Sequence, residues 1–311
     1  MDSFTVKYPE VDVVIPVYKP GSDLLELLHK LQKQTNPVNR IIIINTEKVF
    51  FDENKYLIFP NIEVYHISRE EFDHAATRRM GMDKSSAEYV LFMTMDAVPK
   101  DKYLVERLVE GFRGRNAAVA YARQLPKKGC RLIERFSRSY NYPAEDMYKT
   151  ASDLDRLGIK TFFCSDVCAM YDRKVFAELG GFTERAIFNE DMVYAAKAVD
   201  AGYGIMYCAR AMVYHSHNYG CLEQFKRNFD LGVSQAEHPE VFGRVSSESE
   251  GIRLVKKTAA YLCQKGHWYE LPYLAIVSAS KYLGYRMGRR YEKLSRRRIL
   301  KYTNNMSYWK M

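Results

Sequence analysis

Three features of the 311-residue chain predict an α/β fold built on a mostly parallel sheet covered by helices. Short apolar runs rich in β-branched residues alternate with stretches of helical periodicity over the first two thirds of the chain. Each apolar run breaks into polar residues at its carboxyl end, which gathers those residues along one edge of the sheet, where α/β proteins bind ligands. No GxGxxG follows the first strand and no GxxxxGK[ST] occurs, which argues against a dinucleotide fold and a P-loop enzyme.

Taken in order, Val11 to Tyr18 reads as a strand stopped by Pro16, and Lys19-Pro20-Gly21-Ser22 as the loop after it. Ser22 or Asp23 then caps a helix, since Leu24, Leu25, Leu27, Leu28 and Leu31 recur on one face up to about Gln34. Arg40 to Glu47 is a second apolar strand, and the alternating Asn61 to Ile67 a third. Phe72 to Lys84 reads as helical. Tyr89 to Met95 is an unbroken apolar run that ends in Asp96, with Pro99 preventing its continuation. Asp96 therefore stands at the carboxyl end of a buried strand, in a functional position or simply opening a turn or capping a helix near Asp101.

A helix over about Lys102 to Phe112 leads to a short strand, Ala117 to Ala122. Gln124 to Gly158 is a polar, aromatic-rich excursion expected to form a lid or an acceptor-binding wall. Phe162 to Tyr171 returns as a strand, followed by a helix over Arg173 to Leu179 and a Gly180-Gly181-Phe182 turn. Asn189-Glu190-Asp191 opens the next helix, with the acids at its positive end. Ile205 to Tyr214 is the last strand, ending in His215-Ser216-His217-Asn218-Tyr219; a helix over Leu222 to Leu231 carries Gln224 and Arg227. From about Ser247 the chain reads as helical, with basic residues from Arg286 to Lys301 interleaved with Tyr285, Tyr291, Leu294, Ile299 and Leu300.

Composition narrows the partners. Forty-seven Lys and Arg against 38 Asp and Glu leave a net charge of +9, which favours a nucleotide, a phospholipid head group or a nucleic acid. The six cysteines form no CxxC pair and no zinc-finger spacing, so reduced thiols in a cytosolic setting are expected, with Cys164 and Cys168 as small core residues. Met1 to Glu10 has no apolar core for a signal peptide, and no window reaches the roughly 18–20 apolar residues of a membrane span. A protein inside the cell, soluble or peripheral, is expected.

Three groups of residues point to chemistry. Asp96 and His217 are suitable ligands for Mg²⁺ or Mn²⁺, which accept oxygen and imidazole and leave positions open for phosphate oxygens. Asp191 is suited to serve as a general base. His215, directly after the strand, is expected in the core instead.

The chain resembles the family-2 glycosyltransferases of the GT-A fold and, within them, bacterial rhamnosyltransferases of surface polysaccharide synthesis. Carrying the likeness are Val13-Val14-Ile15-Pro16-Val17-Tyr18, Phe72-Asp73-His74-Ala75-Ala76-Thr77-Arg78-Arg79, Thr94-Met95-Asp96-Ala97-Val98-Pro99 and Gly180-Gly181-Phe182. Asn189-Glu190-Asp191, His215-Ser216-His217-Asn218-Tyr219 and Gln224-Phe225-Lys226-Arg227 match as well. The resemblance implies that Asp191 is the catalytic base and that Asp96 is the last acid of an Asp-x-Asp metal motif, whose first acid is Thr94 here. It implies that Pro16, Tyr18, Asn45, Glu47, His74, Arg78, Met95 and Asp96 bind the nucleotide sugar, with Arg78 on the leaving diphosphate. The family usually has Asp at the site of Asn45. The resemblance further implies that His217 completes the metal or diphosphate site and that Ser165, Asp166, Glu190, Gln224 and Arg227 belong to the acceptor or diphosphate side.

The activity implied is inverting transfer of rhamnose from dTDP-L-rhamnose to a hydroxyl of a lipid-linked or growing polysaccharide, with divalent Mn or Mg as cofactor. A UDP-hexose donor is the alternative within the family. A nucleic-acid-binding protein is the alternative outside it, and no RNP, zinc or helix-turn-helix signature supports that. The expected organisation is a glycosyltransferase domain over 1–240, its nucleotide-sugar half about 1–100 and its acceptor half about 101–240, with a basic helical extension over 241–311. The extension is expected to rest on the anionic inner face of the cytoplasmic membrane or to form a homodimer surface.

Overall fold

The computed structural model describes residues 8–245 and 247–310; residues 1–7, part of the amino-terminal segment considered above for a leader, lie outside the described residues. Its first third runs β1 (Val11–Tyr18), α1 (Ser22–Leu31), β2 (Arg40–Thr46), β3 (Ile62–Ile67), α2 (His74–Lys84) and β4 (Tyr89–Met93). There follow β5 (Val98–Pro99), α3 (Leu104–Glu110), β6 (Ala117–Leu125), α4 (Leu132–Asn141), β7 (Met147–Lys149), α5 (Leu154–Leu157), β8 (Cys168–Asp172) and α6 (Arg173–Glu178). The remainder is α7 (Glu190–Asp200), β9 (Gly204–Tyr214), α8 (Cys221–Glu237), α9 (Pro239–Phe242), α10 (Ser247–Gln264), α11 (Leu271–Gly288) and α12 (Arg296–Tyr302).

All nine strands join one sheet in the order β3-β2-β1-β4-β8-β6-β9-β5, with β7 also on β9. The first four are parallel, as the alternation of strand and helix predicts; β8 then enters antiparallel between β4 and β6. Period-2 alternation divides the core between the two faces. Val13, Ile15 and Val17 pack with α1 and α3 on one side, whereas Val14, Ile42 and Ile44 meet α2, α6 and α7 on the other.

Several boundaries differ from expectation for identifiable reasons. Pro16 does not stop β1: pairing to β4 ends at Val14, so Pro16 lies where β1 has β2 alone as a neighbour and a missing N–H is tolerated. Gly21, not Ser22 or Asp23, caps α1. The run through Asp96 leaves the sheet after Met93 and turns, with Ala97 N–H donating to the Thr94 carbonyl. The excursion over Gln124 to Gly158 is no free lid, for β7 pairs with β9 and the ring of Tyr142 is buried. The strand expected from Phe162 begins only at Cys168; the residues before it make a 3-10 turn and a loop.

The basic carboxyl segment does not form one amphipathic helix. It breaks after α11 into a 3-10 turn (Tyr291–Lys293) and the short α12, and folds back onto α8. Ile299 is buried beside Phe229 and Val233, and Tyr302 lies edge-on to Phe225 and Phe229. Among the described residues, no helix is long and apolar enough to cross a membrane.

Candidate active site

An open cleft of about 400 Å³ lies beyond the end of β4, lined among others by Asp96, Asp191, His215, His217, Arg138 and Arg227. Residues from eight separated stretches converge there because β4, β8, β6 and β9 are adjacent in the sheet.

On one wall Asp96 Oδ2 lies 3.2 Å from His217 Nε2 and 3.6 Å from His215 Nε2, and the two imidazole nitrogens are 3.1 Å apart. As the chain leaves β9 extended, positions two apart face the same way, which brings both rings to Asp96. His215 is thus no inert core residue: the spacing of two after a strand was the signal for it. Its Nδ1 lies 2.9 Å from Gln124 Oε1, which also accepts from Arg138, while the Gln124 amide nitrogen donates to Tyr142 and Ser165. With the Gln124 oxygen as acceptor, His215 carries its proton on Nδ1 and presents the Nε2 lone pair to Asp96 and His217. Burial holds His215 neutral, its pKa depressed to about 3. Burial alone would raise the Asp96 pKa, but the hydrogen bond from His217 and nearby positive charge reverse this and hold it below the usual range. One carboxylate oxygen and two imidazole nitrogens within 4.8 Å of one another fit a divalent ion of borderline hardness.

The opposite wall is acidic. Asn189, in the left-handed region at φ 62°, turns the chain into α7 and is held by Ser234 of α8 through its side-chain amide. Glu190 and Asp191 follow in the first turn. Arg78 is buried, 2.8 Å from Glu190 Oε1 and 3.0 Å from Asp166 Oδ2; the latter is a close ion contact without the alignment of a hydrogen bond. Asp166 also accepts from the Tyr171 hydroxyl, and burial raises its pKa to about 7 against the pull of Arg78. Among the described residues Asp191 has no cation on it; it accepts the backbone N–H groups of Asp166 and Met192. Burial, then the charges of Asp166 and Glu190, push its pKa well above the carboxylate range.

Arg227 faces the cleft without a carboxylate partner among the described residues, its guanidinium 4.9 Å from the Tyr219 ring and 5.4 Å from Phe188. Gln224, one turn earlier, does not line the cleft. His74 does, half-buried against Phe72 and Phe188, with burial lowering its pKa. Arg78 and Asp166 both line the cleft, each paired with the other and with Glu190 or Tyr171. Arg138 and Gln124 carried no sequence signal.

Pro16, Tyr18, Asn45 and Glu47 lie at the carboxyl edge of β1 and β2, beside the cleft rather than in its lining. Asn45 is buried, donating to the Glu47 carbonyl and to His66, with its own Oδ1 unpartnered. Glu47 accepts the Arg69 N–H, and the Tyr18 ring meets Phe50 edge-on at 5.8 Å under Lys19. Met95 is half-buried in the turn before Asp96.

Residues 12–180 match the family model for Glycosyl transferase family 2. The O-antigen chain rhamnosyltransferase WbaN of Salmonella anatum is 35% identical over 306 residues, 97% of this chain and 96% of its own length. The O-antigen chain rhamnosyltransferase RfbN of Salmonella typhimurium is 34% identical over 96% of each chain. Among solved structures, the mannosyltransferase PcManGT from Pyrobaculum calidifontis, in complex with GDP-Man and Mn²⁺, superposes with a TM-score of 0.55 at 13% identity, covering 98% of this chain and 87% of that one. S. aureus TarS 1-349 in complex with UDP-GlcNAc gives 0.50 at 15% identity over 91% of each chain. At such identities the structural likeness concerns the fold.

Proposed function

Because the chain belongs to glycosyl transferase family 2 and has its GT-A fold, we propose that it transfers rhamnose, with inversion, from dTDP-L-rhamnose to a hydroxyl of a lipid-linked or growing surface polysaccharide. The observation that carries the reading is one cleft lined both by an unpaired, high-pKa carboxylate, Asp191, and by the Asp96–His215–His217 cluster. The rhamnosyl specificity follows the named activity of the two relatives, each aligned over nearly its full length.

In this reading Asp191 takes the proton of the acceptor hydroxyl as that oxygen attacks the anomeric carbon. The bond from that carbon to the diphosphate oxygen breaks on the opposite side, and its electron pair leaves with the nucleoside diphosphate. One displacement inverts the configuration. Asp96, His215 and His217 would hold a divalent Mn or Mg ion, which supplies positive charge to the departing diphosphate. Arg227, unpaired and aimed into the cleft, adds a second positive charge there. The edge of β1 and β2, with Tyr18, Asn45 and Glu47, receives the nucleoside. Arg78 keeps Glu190 and Asp166 in place beside the base and is a positioning residue. The enzyme would work on the cytoplasmic side of the membrane that carries its acceptor.

Hydrolysis of a panel of nucleotide sugars by the purified chain, with and without Mn²⁺ or Mg²⁺, tests this. Release of dTDP from dTDP-rhamnose that is lost in Asp96→Ala and on chelation supports donor and metal together. Preference for a UDP-sugar retires the rhamnosyl reading and leaves the base and the cleft standing.

A further inference from the structure

One face of α11 is packed and the opposite face is apolar. Leu274, Val277, Gly284 and Gly288 are buried. On the far side, at helical spacing, stand Pro272, Ala275, Ile276, Ala279, Tyr282 and Leu283, with Ile276, Tyr282 and Leu283 each more than half exposed. The single charge between positions 271 and 285, Lys281, falls on the packed side. A helix at a water-facing surface puts its charged residues outward; this one does so only at its end, with Arg286 in its last turn, 3.4 Å from Glu248, and Arg290 just beyond it. Trp268 and Tyr269, 68% and 59% exposed, immediately precede the helix.

We propose that this face of α11 docks the protein onto an anionic lipid bilayer, with Trp268, Ile276 and Leu283 entering the boundary between head groups and acyl chains and Arg286 and Arg290 on lipid phosphates. The charge pattern selects this occupant. A second copy would bring further positive charge from a chain of net +9 onto a stripe that ends beside Arg244, Arg286, Arg289 and Arg290, four arginines around the one carboxylate of Glu248, whereas acidic head groups neutralise the excess. Indole and phenol rings at the other end suit the interfacial layer, apolar in body and polar at the tip. The stripe runs for about three turns, so the helix lies in the plane of the interface. The basic segment that follows is less suited to the task, because Ile299 and Tyr302 are spent on the α8 surface. This inference does not depend on which sugar the cleft transfers.

Flotation of the full chain with phosphatidylcholine vesicles, with and without phosphatidylglycerol, tests it. Binding should require phosphatidylglycerol and weaken with salt. The double variant Ile276→Glu/Leu283→Glu should lose binding by about tenfold or more, since both apolar side chains leave the interface. Arg286→Gln and Arg290→Gln should each lower it about fivefold. Thermal melting and donor hydrolysis in solution should match the parent in all three, because none of these residues lines the cleft. Unchanged vesicle binding in the double variant would overturn the proposal, as would a parent chain that ignores anionic vesicles. A parent dimer that the double variant converts to monomer, with vesicle binding untouched, would assign the face to a second copy instead.

Discussion

His215 Nε2 and His217 Nε2 lie 3.1 Å apart, each beside the same oxygen of Asp96. Two imidazole nitrogens at that distance need a proton or a cation between them, and His215 has its own proton turned to Gln124. The His215 Nε2 lone pair is therefore open to a divalent ion or to the proton of His217, and Gln124 is the residue that orients it. Gln124→Leu should lower Mn²⁺ affinity by about 10–100-fold, and Asp96→Ala should abolish binding. Isothermal titration calorimetry with Mn²⁺ measures both. Chelation should stop turnover and added Mn²⁺ restore it; full turnover in chelator would remove the ion from the reaction.

The position of Asp191 dictates a pH dependence. Burial and the neighbouring Asp166 and Glu190 raise its pKa, and a general base works only when deprotonated. Activity should therefore fall as pH drops through a value above the ordinary carboxylate range. Glu190→Gln removes one negative neighbour, lowers the Asp191 pKa and moves the acid limb of kcat/KM to lower pH. Asp191→Asn should reduce kcat by about 10²–10⁴-fold across the profile. An acid limb that stays in place in Glu190→Gln would assign it to another group.

Arg78 joins two buried carboxylates, so its loss leaves Asp166 and Glu190 facing each other without a counter-charge. Removing one partner of such a buried network costs about 3–5 kcal/mol. Arg78→Met should lower stability by that amount in urea unfolding while leaving nucleoside diphosphate affinity little changed in the folded protein. A variant of parental stability that binds the diphosphate poorly would return the guanidinium to the ligand, as the sequence resemblance implied.

Much of this architecture is legible in the sequence. The parallel strands β1 to β4 show in their apolar runs, and Asp96 and Asp191 show as carboxylates at a strand end and a helix start. The rest depends on long-range pairing. Nothing local marks Cys168 as the first residue of β8, since that boundary is set by where antiparallel pairing with Met93 begins. Gln124 reaches the cleft near the end of β6, beside β9, and Arg138 reaches it from α4, where it donates to Gln124. The ion pairs of Arg78 are invisible locally because its two buried partners lie 88 and 112 residues away in sequence.

The last prediction concerns how α8, and with it Arg227, is held. A Cβ added at Gly288 would lie 2.1 Å from the Phe229 carbonyl oxygen, and one at Gly284 2.2 Å from that of Phe225. The backbones of α8 and α11 thus touch where side chains usually separate helices, and at Gly288 any Cβ forces them apart. Gly288→Ala should cost about 1–3 kcal/mol through overpacking. Because Arg227 lies between Phe225 and Phe229 on α8, the same change should raise KM for the donor. Gly251→Ala, in α10 with nothing within 4 Å of the new methyl, should instead add up to about 1 kcal/mol by favouring the helix. Urea unfolding of the pair gives the comparison: opposite signs follow from close contact of α8 and α11, whereas stabilisation of both would mean that the two helices are free to move apart.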